Sequence, residues 1–279
     1  MPSPPAPKKR CLEPSAAVDG KRALGAPTLP AEADGKRALS APTLPAEAVA
    51  LQAALRRLRP HAPPEWVELE PLTQCGQSWA ILAGNFAAPV NFEAIWQARP
   101  AEQPVGRIMG KMVTIPRWNQ AYGIDYAFTG QMARAKPVDD VGAFHGLLRE
   151  MQSVEPRLNS ILANWYDASA GHYIGAHSDD EPQLVPGCPI VSISLCTPGH
   201  HRRFRLTPKP AHAASAYTPG RWRQEGVKGV VLPLCHGSLL IMGGATQQTH
   251  KHELMKPSGR LGGMEKSGRR VSATFRAFK

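Results

Sequence analysis

The chain has 279 residues and a formal net charge of +11, and 42% of its residues are hydrophobic. This length suits one large domain or two small ones. The hydrophobic share is ordinary for a globular protein, whereas the basic excess favours a polyanionic partner such as nucleic acid. Solvated Lys and Arg side chains would give the same composition, so charge alone leaves both interpretations open.

The cysteines and the lack of export signals bear on the compartment. The five cysteines are odd in number and never form a C-x-x-C pair. They are Cys11, Cys75, Cys188, Cys196 and Cys235. This spacing argues against a disulfide scaffold or a zinc module. The sequence also has no apolar run of transmembrane length and no signal-peptide core. Together these features predict a soluble intracellular protein without a membrane partner. The basic triplet Lys8-Lys9-Arg10 resembles a nuclear-import signal and predicts a nuclear location.

Residues 1–48 are rich in Pro and Ala and contain a tandem repeat. DGKRALGAPTLPAEA at 19–33 is followed at once by DGKRALSAPTLPAEA at 34–48. Two copies interrupted by proline cannot bury a core, because repeat folds need several stacked units. We therefore expect 1–48 to be a disordered extension and 49–279 to be one folded domain.

Apolar spacing predicts helices over 48–58, around 92–97 and over 138–161, the last of them backing a sheet. Most of the remaining sequence alternates in the manner of short strands with turn signals between them. The predicted strands span 161–166, 172–177, 190–195, 203–207, 230–234, 238–242, 251–255 and 270–276. Segments 207–229 and 259–268 are predicted surface loops. The pattern indicates a mainly β fold with flanking α-helices, built on a double-stranded β-helix or jelly-roll core.

Residues 106–130, GRIMGKMVTIPRWNQAYGIDYAFTG, predict a β-hairpin that carries Ile108-Met109-Gly110, followed by further short strands. Apolar groups beside Arg107, Lys111 and Arg117 suit a nucleic-acid face, because apolar side chains wedge between base steps while cations hold phosphates. An ordinary amphipathic hairpin that packs on the core is the alternative.

An H-x-D step at His177-Ser178-Asp179 indicates a metal site. Residues two apart on an extended segment point to the same side, so the imidazole and the carboxylate converge. A third ligand is available downstream at His252 or His250, after the apolar run SLLIMGG. Two histidines and one carboxylate form the facial set that leaves positions open on non-haem Fe(II).

The segment RRVSATFR near the C-terminus predicts an anion site. Its alternate residues Arg270, Ser272, Thr274 and Arg276 share one side of a strand. A guanidinium matches a carboxylate with two parallel hydrogen bonds, so these arginines suit a dicarboxylate such as 2-oxoglutarate. Asn164 and Tyr166 also alternate on a predicted strand and could donate to the same carboxylates. A solvated basic strand is the alternative.

Taken together, these segments resemble the AlkB family of Fe(II)/2-oxoglutarate-dependent nucleic-acid dealkylases. The resemblance covers most of residues 70–279, with every segment in family order. The matching segments are PRWNQAYG at 116–123, DYAFTG at 125–130, N-x-Y at 164–166, YIGAHSDDE at 173–181, PIVSISL at 189–195, RRFRL at 202–206, GSLLIMGGATQQTHKHEL at 237–254 and RRVSATFR at 269–276.

This resemblance implies a ligand set and a cosubstrate site. His177, Asp179 and His252 would hold Fe(II), with His252 preferred over His250. Arg270 would pair with the distal carboxylate of 2-oxoglutarate, and Arg276 would support the end near the metal. Ser272 stands where the family commonly has Asn, which removes an amide contact to the cosubstrate. O2 is the third reactant that the family uses.

The resemblance also implies a substrate. Tyr126, Phe128 and Glu181 match residues that line the pocket for a flipped base, and Ile108-Met109-Gly110 matches the tip of a duplex-probing hairpin. The implied reaction is oxidative demethylation of 1-methyladenine and 3-methylcytosine in DNA by a monomeric enzyme, with formaldehyde release. An RNA base demethylase, a protein hydroxylase on the same fold and a nucleic-acid-binding module that has lost catalysis are the alternatives.

Overall fold

The computed structural model describes residues 42–61, 63, 66–86, 90–108, 110–128, 131–258 and 267–279. The basic triplet, the first repeat and most of the second lie outside the described residues, as do Met109 and most of the predicted loop at 259–268. The predicted disorder of the N-terminal segment, the surface loop at 259–268 and the roles of the basic triplet and Met109 stay predictions.

The described residues form four α-helices and sixteen strands. The helices are α1 Ala46–Leu58, α2 Phe92–Gln97, α3 Gly142–Gln152 and α4 Thr246–Thr249. The first eight strands are β1 Val67–Pro71, β2 Ser78–Ala83, β3 Val105–Ile108, β4 Lys111–Thr114, β5 Trp118–Tyr122, β6 Tyr126–Phe128, β7 Gln131–Ala133 and β8 Ala135–Lys136. The last eight are β9 Ser160–Asp167, β10 Ile174–His177, β11 Ile190–Cys196, β12 His201–Pro208, β13 Val230–Cys235, β14 Ser238–Gly244, β15 His250–Leu254 and β16 Arg269–Arg276.

Twelve of these strands build two sheets. The larger sheet has the order β1-β2-β14-β11-β16-β9-β5-β8, and the smaller has the order β10-β15-β12-β13. The pairs β3–β4 and β6–β7 form separate two-stranded ribbons. Nearly all neighbours are antiparallel, the exception being β5 with β8. The predicted mainly β, two-sheet core with flanking helices is confirmed.

The larger sheet buries both of its faces. On one face Trp165 of β9 and Phe275 of β16 pack with apolar residues of α1, α2 and α3. On the other face Leu240 of β14 packs with Phe204 and Leu232 of the smaller sheet. Because side chains alternate along a strand, the residues next to Trp165 and Phe275 point toward the smaller sheet.

The predicted strands are confirmed to within two residues at most ends, and two helices match closely. The predicted helix over 138–161 is wrong in its second half, because α3 ends at Gln152 and residues from Ser160 onward belong to β9. Pro156 explains the early end, since a proline disfavours helical geometry for the residue before it. Strands β1 and β2 were not predicted.

Two predicted boundaries need correction. The expected start of the folded domain at residue 49 lies inside α1, where Ala48 is fully buried and Leu44 also packs against the core. The segment 207–229 is not simply a surface loop, because Trp222 is buried in the cluster between the sheets and donates a hydrogen bond to Glu68. No helix in the described part of the chain is long and apolar enough to cross a membrane.

Candidate metal and cosubstrate site

A cluster of two histidines and one aspartate lies at the end of β10. In the register of β10 with β15, His177 stands opposite His252, and their ring centroids are 4.2 Å apart. Asp179 follows two residues after His177, and its Oδ1 lies 3.7 Å from Nε2 of His177 and 4.0 Å from Nε2 of His252. One ligand atom from each residue lies within 4.8 Å of the other two, a spacing that one metal ion can bridge.

The ionisation states of His252 and Asp179 are those in which such groups bind metals. Burial, followed by the charges of His177 and Arg276, lowers the pKa of His252 to about 3, so its imidazole is neutral. Burial acts to raise the pKa of Asp179, but Arg276 and the two histidines hold it below its ordinary value. A neutral imidazole and an ionised carboxylate are the forms that coordinate divalent ions.

The residues alone left His250 open as the third member, the family resemblance favoured His252, and the structure brings His252 into the cluster. His250 is buried two residues earlier on β15, and its Nδ1 lies 2.8 Å from Oγ1 of Thr249. Its carbonyl oxygen accepts a hydrogen bond of 2.9 Å from the Ser178 hydroxyl. His250 therefore supports the segment that follows His177 without joining the cluster.

Arg276 connects the larger sheet to the cluster. Its Nη2 and Nε donate to Oδ2 of Asp179 at 2.5 and 3.2 Å, which leaves Oδ1 directed at the two histidines. Burial lowers the pKa of Arg276, but the Asp179 carboxylate outweighs it and raises the pKa above the usual range. The pair fixes both the charge and the orientation of the aspartate.

Arg270 lies near the start of β16, before Arg276 in the chain. It is buried and has no carboxylate partner among the described residues. Its Nη2 donates to the Ser194 hydroxyl at 2.8 Å, and its guanidinium lies 5.4 Å from the centre of the Tyr166 ring. Nε has no hydrogen-bond partner among the described residues. A buried cation normally has a counter-ion, so this arrangement suits an anionic ligand.

Hydroxyl groups line the floor of the same cavity. Ser192 and Ser194 of β11 stand opposite Thr274 and Ser272 of β16. Thr274 Oγ1 lies 3.4 Å from Oγ of both Ser192 and Ser272, which is longer than an ordinary O–H···O bond. The Ser192, Ser272 and Thr274 hydroxyls line the cavity and are thus available to a ligand, whereas Ser194 does not line it and is bonded to Arg270. The predicted alternation of β16 is correct, but its polar side is buried rather than solvated.

One cavity of about 250 Å³ is lined by the His/Asp cluster, by Arg270 and by the hydroxyl floor. The donor set therefore fits a ligand with a carboxylate at Arg270 and a chelating end at the cluster. Among the predicted cosubstrate residues, Asn164 and Tyr166 also line this cavity. Arg117 lines it as well and donates from Nε to Oδ1 of Asn164 at 3.1 Å, which orients that amide.

The predicted base-pocket residues Tyr126 and Glu181 lie at the same cavity. The Tyr126 hydroxyl donates to Oε1 of Glu181 at 2.7 Å, whereas Oε2 is buried without a partner in the described structure. Burial raises the pKa of Glu181, and the bond from Tyr126 opposes that shift. The backbone of Phe128 belongs to β6, and its side chain lies outside the described residues.

The predicted hairpin is present as the β3–β4 ribbon. Ile108 stands opposite Lys111 in its register, and Gly110 between them has a φ of +80°, which favours glycine. Met112 and Val113 are exposed on β4, and Arg107 is exposed opposite Met112. The ribbon thus presents apolar and cationic groups to solvent, although nothing is described of the Ile108 side chain.

Sequence reasoning missed Ser192 and Phe204, which line the cavity, and Ser194 and Gln247, which contact residues that line it. Ser192 and Ser194 could have been found from their alternation in PIVSISL, which matches that of β16. Phe204, which stacks on His252 at 5.6 Å, shows only as one apolar residue in a basic strand. Gln247 is one of two adjacent glutamines, and only the turn between β14 and β15 decides which of them is buried.

A two-sheet β core with a cluster of two histidines and one carboxylate is typical of a class of metal-dependent oxygenases. The family model described as the 2OG-Fe(II) oxygenase superfamily matches residues 105–276. The chain belongs to this superfamily, whose name states its metal, Fe(II), and its cosubstrate, 2-oxoglutarate.

The relatives are AlkB homologues, which confirms the resemblance. Human DNA oxidative demethylase ALKBH2 is 34% identical over 152 residues, which cover 53% of each chain. Rat alpha-ketoglutarate-dependent dioxygenase alkB homolog 3 is 38% identical over 120 residues, 42% of this chain and 35% of the relative. Arabidopsis thaliana ALKBH2 is 28% identical over 63% of this chain and 58% of its own. The chain spans about half the length of the ALKBH2 relatives it matches and about a third of the alkB homolog 3 proteins.

Proposed function

We propose that this protein is an Fe(II)- and 2-oxoglutarate-dependent oxidative demethylase of 1-methyladenine and 3-methylcytosine in DNA. The observation that supports it most is the cavity shared by the His/Asp cluster, the Tyr126–Glu181 pair and Arg270, which has no carboxylate partner among the described residues. Metal, cosubstrate and base can meet there, as direct removal of a methyl group requires. The relatives named DNA oxidative demethylase support the choice of DNA.

In this proposal His177, Asp179 and His252 hold the iron. Three protein ligands on one face leave positions for the 2-oxo acid and for O2. When bound, the metal supplies the chemistry that couples decarboxylation of 2-oxoglutarate to hydroxylation of the N-methyl carbon. Arg276 keeps Asp179 ionised and oriented, and buried apolar neighbours such as Phe204 exclude water from the site.

The cosubstrate is oriented from the larger sheet. Arg270 pairs with its distal carboxylate, and the Tyr166, Ser272 and Thr274 hydroxyls provide further hydrogen bonds along the floor. The carbonyl oxygen of the Asn164 side chain accepts from Arg117, which leaves its NH2 group to donate to carboxylate oxygens of 2-oxoglutarate. The dicarboxylate thereby supplies the counter-ion that the buried Arg270 guanidinium lacks among the described residues.

The substrate base enters at Tyr126 and Glu181. A base methylated at N1 of adenine or N3 of cytosine is cationic, so the partnerless Oε2 of Glu181 suits it electrostatically. Phe128 and His177 would stack on its two faces. After hydroxylation the hemiaminal on the base loses formaldehyde, which restores the pairing edge.

A base inside a duplex cannot reach a buried site, so it must be extruded. Loss of normal pairing by the methylated base lowers the cost of extrusion. We expect the β3–β4 ribbon to support this step through the predicted tip segment Ile108-Met109-Gly110 and through Arg107 and Lys111. Arg117 contributes at the cavity wall rather than on the ribbon.

The test compares one sequence with one 1-methyladenine as DNA duplex, DNA single strand and RNA. Each is incubated with protein, Fe(II) and 2-oxoglutarate, and the loss of one methyl group is followed by mass spectrometry. We expect demethylation of both DNA forms and none of unmethylated controls. Demethylation of RNA alone would overturn the DNA assignment and leave the RNA demethylase in its place.

A further inference from the structure

The turn that contains α4 is bonded to the segment that follows His177. The Asp179 backbone N–H donates to Oε1 of Gln247 at 3.0 Å, and the Ser178 hydroxyl donates to the His250 carbonyl at 2.9 Å. Lys209 adds a hydrogen bond of 2.9 Å to the Gln247 carbonyl and lies 3.7 Å from Asp180. Strand β10 ends at His177, so these bonds replace strand pairing at Asp179.

Both ends of the Gln247 side chain are engaged. Besides the bond to Asp179, its Nε2 lies 3.7 Å from Sδ of Met242, a donor–acceptor contact that assigns oxygen and nitrogen of the amide. Gln247 and Met242 are both buried, and Met242 lines the cavity. The amide therefore sits between the Asp179 backbone and the cavity wall.

The turn itself is fixed to the larger sheet. Thr246 Oγ1 donates to the Gly243 carbonyl at 2.6 Å and accepts from the Trp79 backbone N–H at 3.2 Å. Thr249 Oγ1 lies 2.7 Å from the Ser78 hydroxyl. Since β15 begins directly after this turn, it also sets the position from which His252 enters the cluster.

We propose that Gln247 is a positioning residue for the metal site. Its carboxamide fixes the backbone of Asp179 to the turn that precedes β15, the strand that carries His252, and so sets the separation of the carboxylate from the imidazole. Groups that orient metal ligands change metal affinity about 10–100-fold when they are removed. The inference rests on the proposed role of the cluster as the iron site.

The test measures Mn(II) affinity by calorimetric titration of the full chain, without nucleic acid or 2-oxoglutarate. Q247M removes the acceptor but keeps an unbranched side chain of similar length, and we expect about 10–100-fold weaker binding. Q248M is the matched control, because Gln248 is adjacent and exposed, and we expect no change. Q247E keeps an acceptor oxygen at the same reach, and we expect it to regain most of the affinity.

A second measurement separates positioning from general damage. At saturating Mn(II), the affinity of Q247M for 2-oxoglutarate should equal that of the unmodified protein. Equal Mn(II) affinity in Q247M and Q248M would overturn the inference. It would also be overturned if Q247E bound Mn(II) no more tightly than Q247M. If Q247M does not fold, Q247A, which also removes the acceptor oxygen, is compared with Q248A in the same way. Failure of the unmodified protein to bind Mn(II) would instead contradict the proposed function.

Discussion

Two arginines on one strand have opposite surroundings at the residue scale. Arg276 is bonded to the Asp179 carboxylate, whereas the partners of Arg270 among the described residues, Ser194 and Tyr166, are not carboxylates. Desolvation lowers the pKa of Arg270, which means that its charge is maintained at a cost until an anion binds. The two residues therefore have different functions, one structural within the cluster and one for ligand binding.

Replacing Arg270 tests that difference. R270M should weaken 2-oxoglutarate binding to the Mn(II)-loaded protein by about 10–100-fold, because a hydrogen bond to a charged group contributes about 1.5–3 kcal/mol. R270K should recover only part of the affinity, since an ammonium lacks the bidentate fork. Calorimetric titration measures both. Unchanged affinity in R270M would remove Arg270 from the cosubstrate site, and S194A serves as the control for loss of its hydroxyl partner.

At the scale of elements, the sequence predicted which side chains share one side of a strand better than whether that side is buried. The order Arg-Val-Ser-Ala-Thr-Phe-Arg in β16 correctly placed its polar residues on one side, because the period of a strand is two. The same pattern could not distinguish a solvated face from a buried one, since that depends on the smaller sheet packing above it. Strand β1 was missed because its two glutamates are uncommon in strands, and only the bonds of Glu68 to Trp222 and of Glu70 to Arg221 explain them.

The β3–β4 ribbon is the element expected to contact the nucleic-acid backbone. R107A should weaken binding of a methylated duplex and reduce the slope of log affinity against log salt by about 1, because one phosphate contact is lost. R149A is the matched control, because Arg149 is an exposed arginine on α3. The apolar residues of α3 pack on the face of the larger sheet that points away from the smaller sheet. Fluorescence anisotropy over a range of salt measures both. Equal effects in the two variants would contradict a specific role for the ribbon.

At the scale of the whole molecule, the site depends on contacts distant in sequence. Asp179 and His252 belong to the smaller sheet region, whereas Arg270 and Arg276 come from the centre of the larger sheet. Motif order in the sequence identified these residues, and the family resemblance favoured His252 over His250, but the distances between them could not be predicted. Those follow from the register of β10 with β15 and from the turn that contains α4.

The extent of the folded domain can be tested by truncation. Leu44 and Ala48 pack against the core, so removal of residues 1–48 should lower the free energy of unfolding by about 2 kcal/mol through lost apolar burial. Removal of residues 1–41 should leave it unchanged if that segment is disordered as predicted. Urea unfolding of the two shortened proteins measures the difference. Equal stability of both would contradict the packing of α1.

The most direct test of the proposed activity is simultaneous measurement of formaldehyde and succinate from a duplex with one 1-methyladenine. The unmodified protein with Fe(II) and 2-oxoglutarate should release both products in equal amounts. H252A should release neither, whereas H250A should keep coupled release, because His250 is buried beside the cluster without belonging to it. Succinate without formaldehyde would contradict the substrate assignment, and full activity of H252A would contradict the metal site itself.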